Sequence, residues 1–235
     1  MSKIAFYPDG TPFSGDDTMK LIRTKTDTVL LSFSGGKDSI ACWLKMREHF
    51  KIIPFYMYVV PDLEFINESI DYYEQFFATK IIRVPHPSLY RMLNNFVFQP
   101  PDRVAMIHAA GLPNFTYDNL SDWIGADHGL KPIFTANGVR AADSPNRRSS
   151  INSHGPITWS RNYFYPVWDM QIAELVELLK KHNVRLSREY EFFGRSFDGI
   201  DHRFLHIIKD VYPRDFETIL HWFPLVELEI ARYGY

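Results

Sequence analysis

Residues 28–39 read TVLLSFSGGKDS, an apolar run that stops at a serine–glycine–glycine turn and gives way to Lys37, Asp38 and Ser39. A short, continuously hydrophobic segment bounded by turn residues is a buried strand. From Lys37 to about Phe50 the apolar positions Ile40, Ala41, Trp43, Leu44 and Met46 follow the spacing of one helix face. A strand therefore delivers a glycine pair, and a helix begins at once. Two glycines let backbone N–H groups come close to an anion, and the helix N-terminus adds partial positive charge. Ser34 and Ser39 offer hydroxyls and Lys37 a cation, and the ligand-binding set expected around this turn is Ser32, Ser34, Gly35, Gly36, Lys37, Asp38 and Ser39. The stretch is not a Walker A loop, because Asp38 follows Gly36-Lys37 and Leu31 stands where the earlier glycine belongs.

Working outward, Ile52–Val60 predicts a second buried strand ended by Pro61 and Asp62, residues 66–79 a helix, and Lys80–Val84 a third strand. Residues 86–129 predict two or three helices, with breaks at 99–102 and 111–114. Lys131–Ala136 returns as a strand that runs into Asn137-Gly138-Val139-Arg140, and Tyr163–Val167 is the last strand. Helical patterns follow at 169–182, 187–193, 202–211 and 214–233. Apolar strands alternating with helices mean a parallel sheet covered on both faces. The expected fold is α/β: a Rossmann-like, doubly wound, mostly parallel five-stranded sheet with a C-terminal helical lobe. Residues 1–27, rich in Gly, Pro, Asp and Thr, are expected to form an irregular N-terminal arm. Residues 28–168 are expected to be the nucleotide-binding core, and 169–235 a helical lobe packed on it.

Composition narrows the classes. The 235 residues, 46% apolar and 23% charged, suffice for one sizeable core and exclude wholesale disorder. A single cysteine, Cys42, excludes an internal disulfide and four-cysteine iron–sulfur or zinc sites, and points to a reducing, cytoplasmic setting. It lies one turn into the first predicted helix among Ile40, Trp43 and Leu44, the place of a buried, inert thiol. A basic-then-apolar leader is lacking, and no apolar run approaches the roughly 18–20 residues a bilayer needs, so no membrane association is expected. Net charge is −2, with 26 basic against 28 acidic residues, so any polyanion site must come from local clustering. Aromatics at 16% are read as a Phe-rich core. His202 and His206, four apart beside Asp198 and Asp201, have metal-ligand spacing but lack a third ligand, so they are read as satisfied histidines and no zinc is expected.

A second cluster follows the fourth predicted strand. Arg140, Arg147 and Arg148 lie past its C-terminal end, where ligands of open α/β sheets bind. Guanidinium forks suit phosphate oxygens and stabilise charge on a transferring group. The competing reading is a solvated basic loop. Arg161 is a further candidate for the same patch.

Ser34, Gly35, Gly36, Asp38 and Ser39 match the motif SGG-x-D-S, and the segment resembles the signature of the PP-loop ATP pyrophosphatase (adenine nucleotide alpha-hydrolase-like) superfamily. The resemblance implies a loop that grips the pyrophosphate of ATP, with Asp38 a ligand for Mg²⁺. Within the superfamily the chain looks most like the PAPS reductase branch, over about residues 26–200. Val59–Phe65 partly matches that branch's D-T-G-x-E-x-P stretch, keeping Asp62 and Glu64 but lacking the glycine. Gly138, Arg140, Ser144 and Arg147 fall on its G-x-R-x-x-x-S-x-x-R block. The nucleotide-binding set thus extends to Val60, Asp62, Gly138, Arg140, Ser144, Arg147 and Arg148, and the catalytic set is Lys37, Asp38, Arg140 and Arg147. Asp62 and Glu64 contact ribose or metal, or else cap the next helix.

The chain departs from that branch where its catalytic cysteine belongs: Gly194–Ile200 contains none. An iron–sulfur cluster is likewise not expected. The leading expectation is an enzyme that uses ATP and Mg²⁺, releases AMP and pyrophosphate, and adenylates an unidentified acceptor in nucleic-acid or nucleotide modification. The alternatives are a PAPS reductase-like sulfonucleotide enzyme working with a partner protein's thiols, and a catalytically silent nucleotide-binding module. A homo-oligomer is compatible with either.

Overall fold

The computed structural model describes residues 5–233. Chain contacts divide these residues into two units: 5–56 with 118–186, and 57–117 with 187–233.

The first unit begins with a helix, α1 (Gly15–Arg23), in the segment read as irregular. Ser14 caps it by accepting a hydrogen bond from Asp17 N at 3.1 Å, and Met19 and Ile22 are buried. The Gly- and Asp-rich composition hid a capping pattern, Ser14-x-x-Asp17, that defines a helix start. β1 (Thr28–Ser32) buries Val29, Leu30 and Leu31 completely. α2 (Lys37–Met46) is apolar nearly all round and buries Ile40 to Leu44 and Met46, as a core helix must. β2 (Lys51–Tyr58) runs parallel to β1, with Ser32 opposite Phe55. On the other side of β1, β4 (Thr135–Asn137) runs parallel with Ser32 opposite Asn137. β6 (Tyr163–Phe164) lies parallel to β4, and β5 (Ile157–Thr158) pairs antiparallel with β6.

Within this unit the strand order is β2-β1-β4-β6-β5, and a further strand, β3 (Ile82–Pro85), belongs to the second unit. The α/β, Rossmann-like, mostly parallel sheet is as expected, and the β5–β6 hairpin adds to it a strand, β5, that the sequence pattern did not indicate. The chain leaves β1 toward β2 and returns on the opposite side as β4. The carboxyl end of β1 is therefore a topological switch point, where such sheets bind ligands. The first unit also holds α6 (Tyr117–Asp127, from Asp118 on), α7 (Pro145–His154) and α8 (Ile172–Lys181).

The second unit is largely helical: α3 (Glu64–Phe76), α4 (Pro87–Asn94), α5 (Pro101–Ala110), α9 (Glu189–Phe193), α10 (His202–Val211), α11 (Pro213–Trp222) and α12 (Glu227–Arg232). The stretch 214–233 is two helices because Pro224 cannot continue the first. Its core is aromatic: Phe65 meets Phe193, Phe197 and Tyr212 at ring-centroid distances of 6.0, 5.6 and 5.2 Å, and Phe204 packs on Phe193 and Phe197. Two carboxylates are buried there. Glu189 accepts from Ser69 Oγ at 2.9 Å, and Asp215 accepts from Glu64 N and Phe65 N at 2.6 and 3.2 Å. Asp215 thus caps α3, a role the sequence offered to Asp62 or Glu64. No described helix is long and apolar enough to cross a membrane.

Candidate functional site

Ser32 closes β1, and the next residues form a buckled turn at the switch point. Gly35 takes φ +69°, a left-handed conformation in which glycine has no Cβ to clash. Two serines hold the turn. Ser39 Oγ donates to Gly36 O at 2.8 Å, Ser34 Oγ donates to Ser39 Oγ at 3.2 Å, and the N–H groups of Gly36 and Ser34 point at Ser34 Oγ and Ser39 Oγ at 3.3 Å each. Gly36 is the N-cap of α2 and brings no side-chain acceptor to the first turn. An anion can serve there instead, favoured by the helix dipole.

β4 delivers the second half of the site. A Cβ on Gly138 would lie 2.7 Å from both Asp38 C and Ser39 N, and 2.8 Å from Asp38 O. The absence of a side chain at Gly138 lets the β4 exit press against the first turn of α2. Two residues later Arg140 turns inward, its side chain only 5% exposed. Its Nε donates to Asp38 Oδ1 at 2.5 Å, Nη2 to Asp143 Oδ1 at 2.7 Å, and Nη1 to Met170 O at 3.3 Å. Asp38 Oδ2 accepts from Lys37 Nζ at 3.0 Å, and Asp143 Oδ2 from Arg147 Nη1 at 2.5 Å. One chain of alternating charge, Lys37–Asp38–Arg140–Asp143–Arg147, links the phosphate loop to the arginine block, with three cations against two carboxylates.

The arginine block is not a solvated loop. A 3₁₀ turn over Ala141–Asp143 leads into α7, whose N-cap Ser144 accepts from Arg147 N at 3.2 Å. Arg147 and Arg148 stand on the first turns of that helix. Arg140 acts inside the protein rather than facing an open site: it positions Asp38. Asp143, outside the expected set, bridges the two arginines; its i+4 and i−3 spacing to Arg147 and Arg140 was the signal. Arg161 is committed elsewhere, with Nε 2.8 Å from both oxygens of Asp118 and its guanidinium 4.6 Å over the Tyr163 ring.

The remaining expected residues are placed as follows. Val60 and Asp62 belong to the second unit, Val60 buried and Asp62 exposed with φ +61°. Cys42 is fully buried in α2, and burial pushes its thiol well above the usual cysteine range. His206 Nδ1 lies 2.5 Å from His202 O, and His202 stacks on Tyr233. Among the described residues no group of three or more His, Cys, Asp or Glu is placed to hold a metal. Both oxygens of Asp38 are paired with cations, so the side chains as arranged do not fit a protein-held Mg²⁺.

No protein-family model and no curated protein matches the chain. Among solved structures it is similar to phosphoadenylyl-sulfate (PAPS) reductase from Candida auris in its phosphate complex, with TM-score 0.50 and 9% identity over 80% of this chain and 88% of that one. It is also similar to the NH3-dependent NAD synthetase of Campylobacter jejuni subsp. jejuni NCTC 11168 in complex with the nitrate ion, with TM-score 0.45 and 12% identity over 93% of this chain and 92% of that one. The first likeness shows the fold alone: an α/β sheet, here carrying an SGG-x-D-S turn at the carboxyl end of β1.

Proposed function

We propose that the chain is a PP-loop enzyme that binds ATP at the β1–α2 turn and adenylates an acceptor, releasing pyrophosphate. One observation carries the reading. The turn is buckled by Ser34 and Ser39, passes through Gly35 at positive φ, and opens onto the start of a helix that no side chain caps. That is a cradle for phosphate oxygens.

In this reading the N–H groups of the turn and of the first turn of α2 donate to oxygens of the β- and γ-phosphates. An acceptor oxygen attacks the α-phosphorus, the bond from that phosphorus to the bridging oxygen breaks, and pyrophosphate leaves with the electron pair. Lys37 supplies positive charge to the leaving group, and Arg147 lies at the other end of the ion-pair chain. Arg140 is a positioning residue that fixes Asp38 and, through it, Lys37. Such a step depends on orientation and electrostatic stabilisation and needs no thiol. Mg²⁺ enters as the counter-ion of the nucleotide, and the acceptor classes to supply are nucleotides and nucleic acids.

The test is product analysis with ATP labelled in the α- and γ-positions, in the presence of Mg²⁺ and each acceptor class. AMP or an adenylated product together with pyrophosphate is expected. ADP with phosphate, or no turnover with any acceptor, would reject the reading. Sulfite release from PAPS with added thiols, retained in Cys42→Ala, would replace it by sulfonucleotide chemistry driven by a partner's thiol.

A further inference from the structure

The ion-pair chain leaves one arginine of the block over. Arg140 and Arg147 are spent on Asp38 and Asp143, whereas the Arg148 guanidinium has no hydrogen-bond or ion-pair partner among the described residues. Arg148 lines a groove of about 470 Å³ beside α7, together with Asp143, Ser144, Ser149, Asn152 and Ser153. Ser144 Oγ accepts from Arg147 N, which leaves its own proton to donate. Ser149, Asn152 and Ser153 are exposed, and α7 buries Ile151 alone, so its polar side chains are not consumed by packing. The groove therefore offers one fork-shaped cation, three hydroxyls and one carboxamide. A guanidinium pairs with a phosphate, and hydroxyls and amides pair with sugar hydroxyls.

Size and charge select among phosphate ligands. The volume is that of a small-molecule site. A polynucleotide would need several phosphate contacts, and this groove has a single cation with the Asp143 carboxylate at its edge. We propose that the groove binds one small phosphorylated polyol, a sugar phosphate or mononucleotide, with Arg148 on the phosphate and Ser149, Asn152 and Ser153 on the hydroxyls. Asp143 lines the groove and joins through Arg140 to Asp38 of the phosphate loop, so the bound molecule is placed to be the acceptor of the adenylation. That role rests on the ATP reading above; the binding itself does not.

Ribose 5-phosphate is the probe, titrated calorimetrically with and without saturating α,β-methylene-ATP. The intact protein should bind one equivalent in both conditions. Arg148→Gln should weaken binding by about tenfold or more, the loss of a charge-assisted hydrogen bond, with Arg148→Lys in between and Asn152→Ala weaker by a few-fold. No binding to the intact protein, Arg148→Gln binding like the intact protein, or displacement of ribose 5-phosphate by the ATP analogue would each overturn the assignment. So would salt-steep binding of a single-stranded oligonucleotide that ribose 5-phosphate fails to compete away. If the analogue does not bind while ribose 5-phosphate still depends on Arg148, the groove stands and the ATP reading falls.

Discussion

Replacing Arg140 with Met removes the buried link between the two halves of the site while keeping most of its apolar stem. Three donor contacts disappear, two of them to carboxylates. Removing one partner of a buried ion pair costs about 3–5 kcal/mol. Here Asp38 and Asp143 are 21% and 18% exposed and keep Lys37 and Arg147, so the lower end, about 3 kcal/mol, applies. For a chain of this length that corresponds to a fall of about 6–12 °C in the melting temperature. Arg140→Lys keeps the charge but cannot fork between both carboxylates, and should lie between the two. The assay is thermal and urea unfolding by tryptophan fluorescence, since Trp43, Trp123, Trp159 and Trp168 lie in this unit and only Trp222 in the other. Binding of α,β-methylene-ATP is measured beside it and should weaken at least tenfold as Asp38 and Lys37 lose their anchor. An Arg140→Met protein that melts within about 1 °C of the parent and binds the analogue equally well would refute the positioning role.

Gly138→Ala should lower stability by about 1–3 kcal/mol or more, because its Cβ would meet backbone rather than a yielding side chain; Gly199→Ala, whose Cβ would meet only the Asp201 carboxylate at 3.7 Å, is the control that should be tolerated. Cys42 should resist maleimide in the native protein and react in denaturant, and native labelling that abolishes turnover would contradict the buried thiol. Burial raises the Glu189 carboxyl above its ordinary value of 4.5, so its stabilising contribution is present below that value and is lost as pH rises through the folded value. Glu189→Gln, whose amide oxygen still accepts from Ser69, should therefore flatten the urea midpoint against pH and match or exceed the parent at pH 7. A large loss of stability at pH 7 would count against this. Asp215→Ala should cost about 1–2 kcal/mol by uncapping α3, read from urea midpoints; an unchanged midpoint would deny the cap.

The turn that decides the fold was legible because three local signals agree there: the apolar run of β1, the glycine pair and the 3.6-residue spacing of α2. α7 was not, because a helix that buries only Ile151 has no hydrophobic period to read. α1 was masked by turn-forming composition, although Ser14 and Asp17 carried its capping pattern. The site was legible as two separate clusters, and their connection was not. Asp38 and Arg140 are 102 residues apart, and only the return of the chain as β4 beside β1 makes them neighbours. Sequence chemistry therefore assigned Arg140 to phosphate, while packing turns its fork inward to two aspartates. The Asp215 cap on α3, 151 residues from Glu64, was beyond local reading for the same reason.

The most direct measurement is amide-resolved NMR titration of the labelled protein with pyrophosphate and then with ATP and Mg²⁺. The largest shifts are expected at the backbone amides of Gly35, Gly36, Lys37, Asp38 and Ser39 with both ligands, and ATP should add further perturbations beyond the turn. Saturable binding that leaves those five amides unmoved would contradict the assignment of the β1–α2 turn as the pyrophosphate cradle.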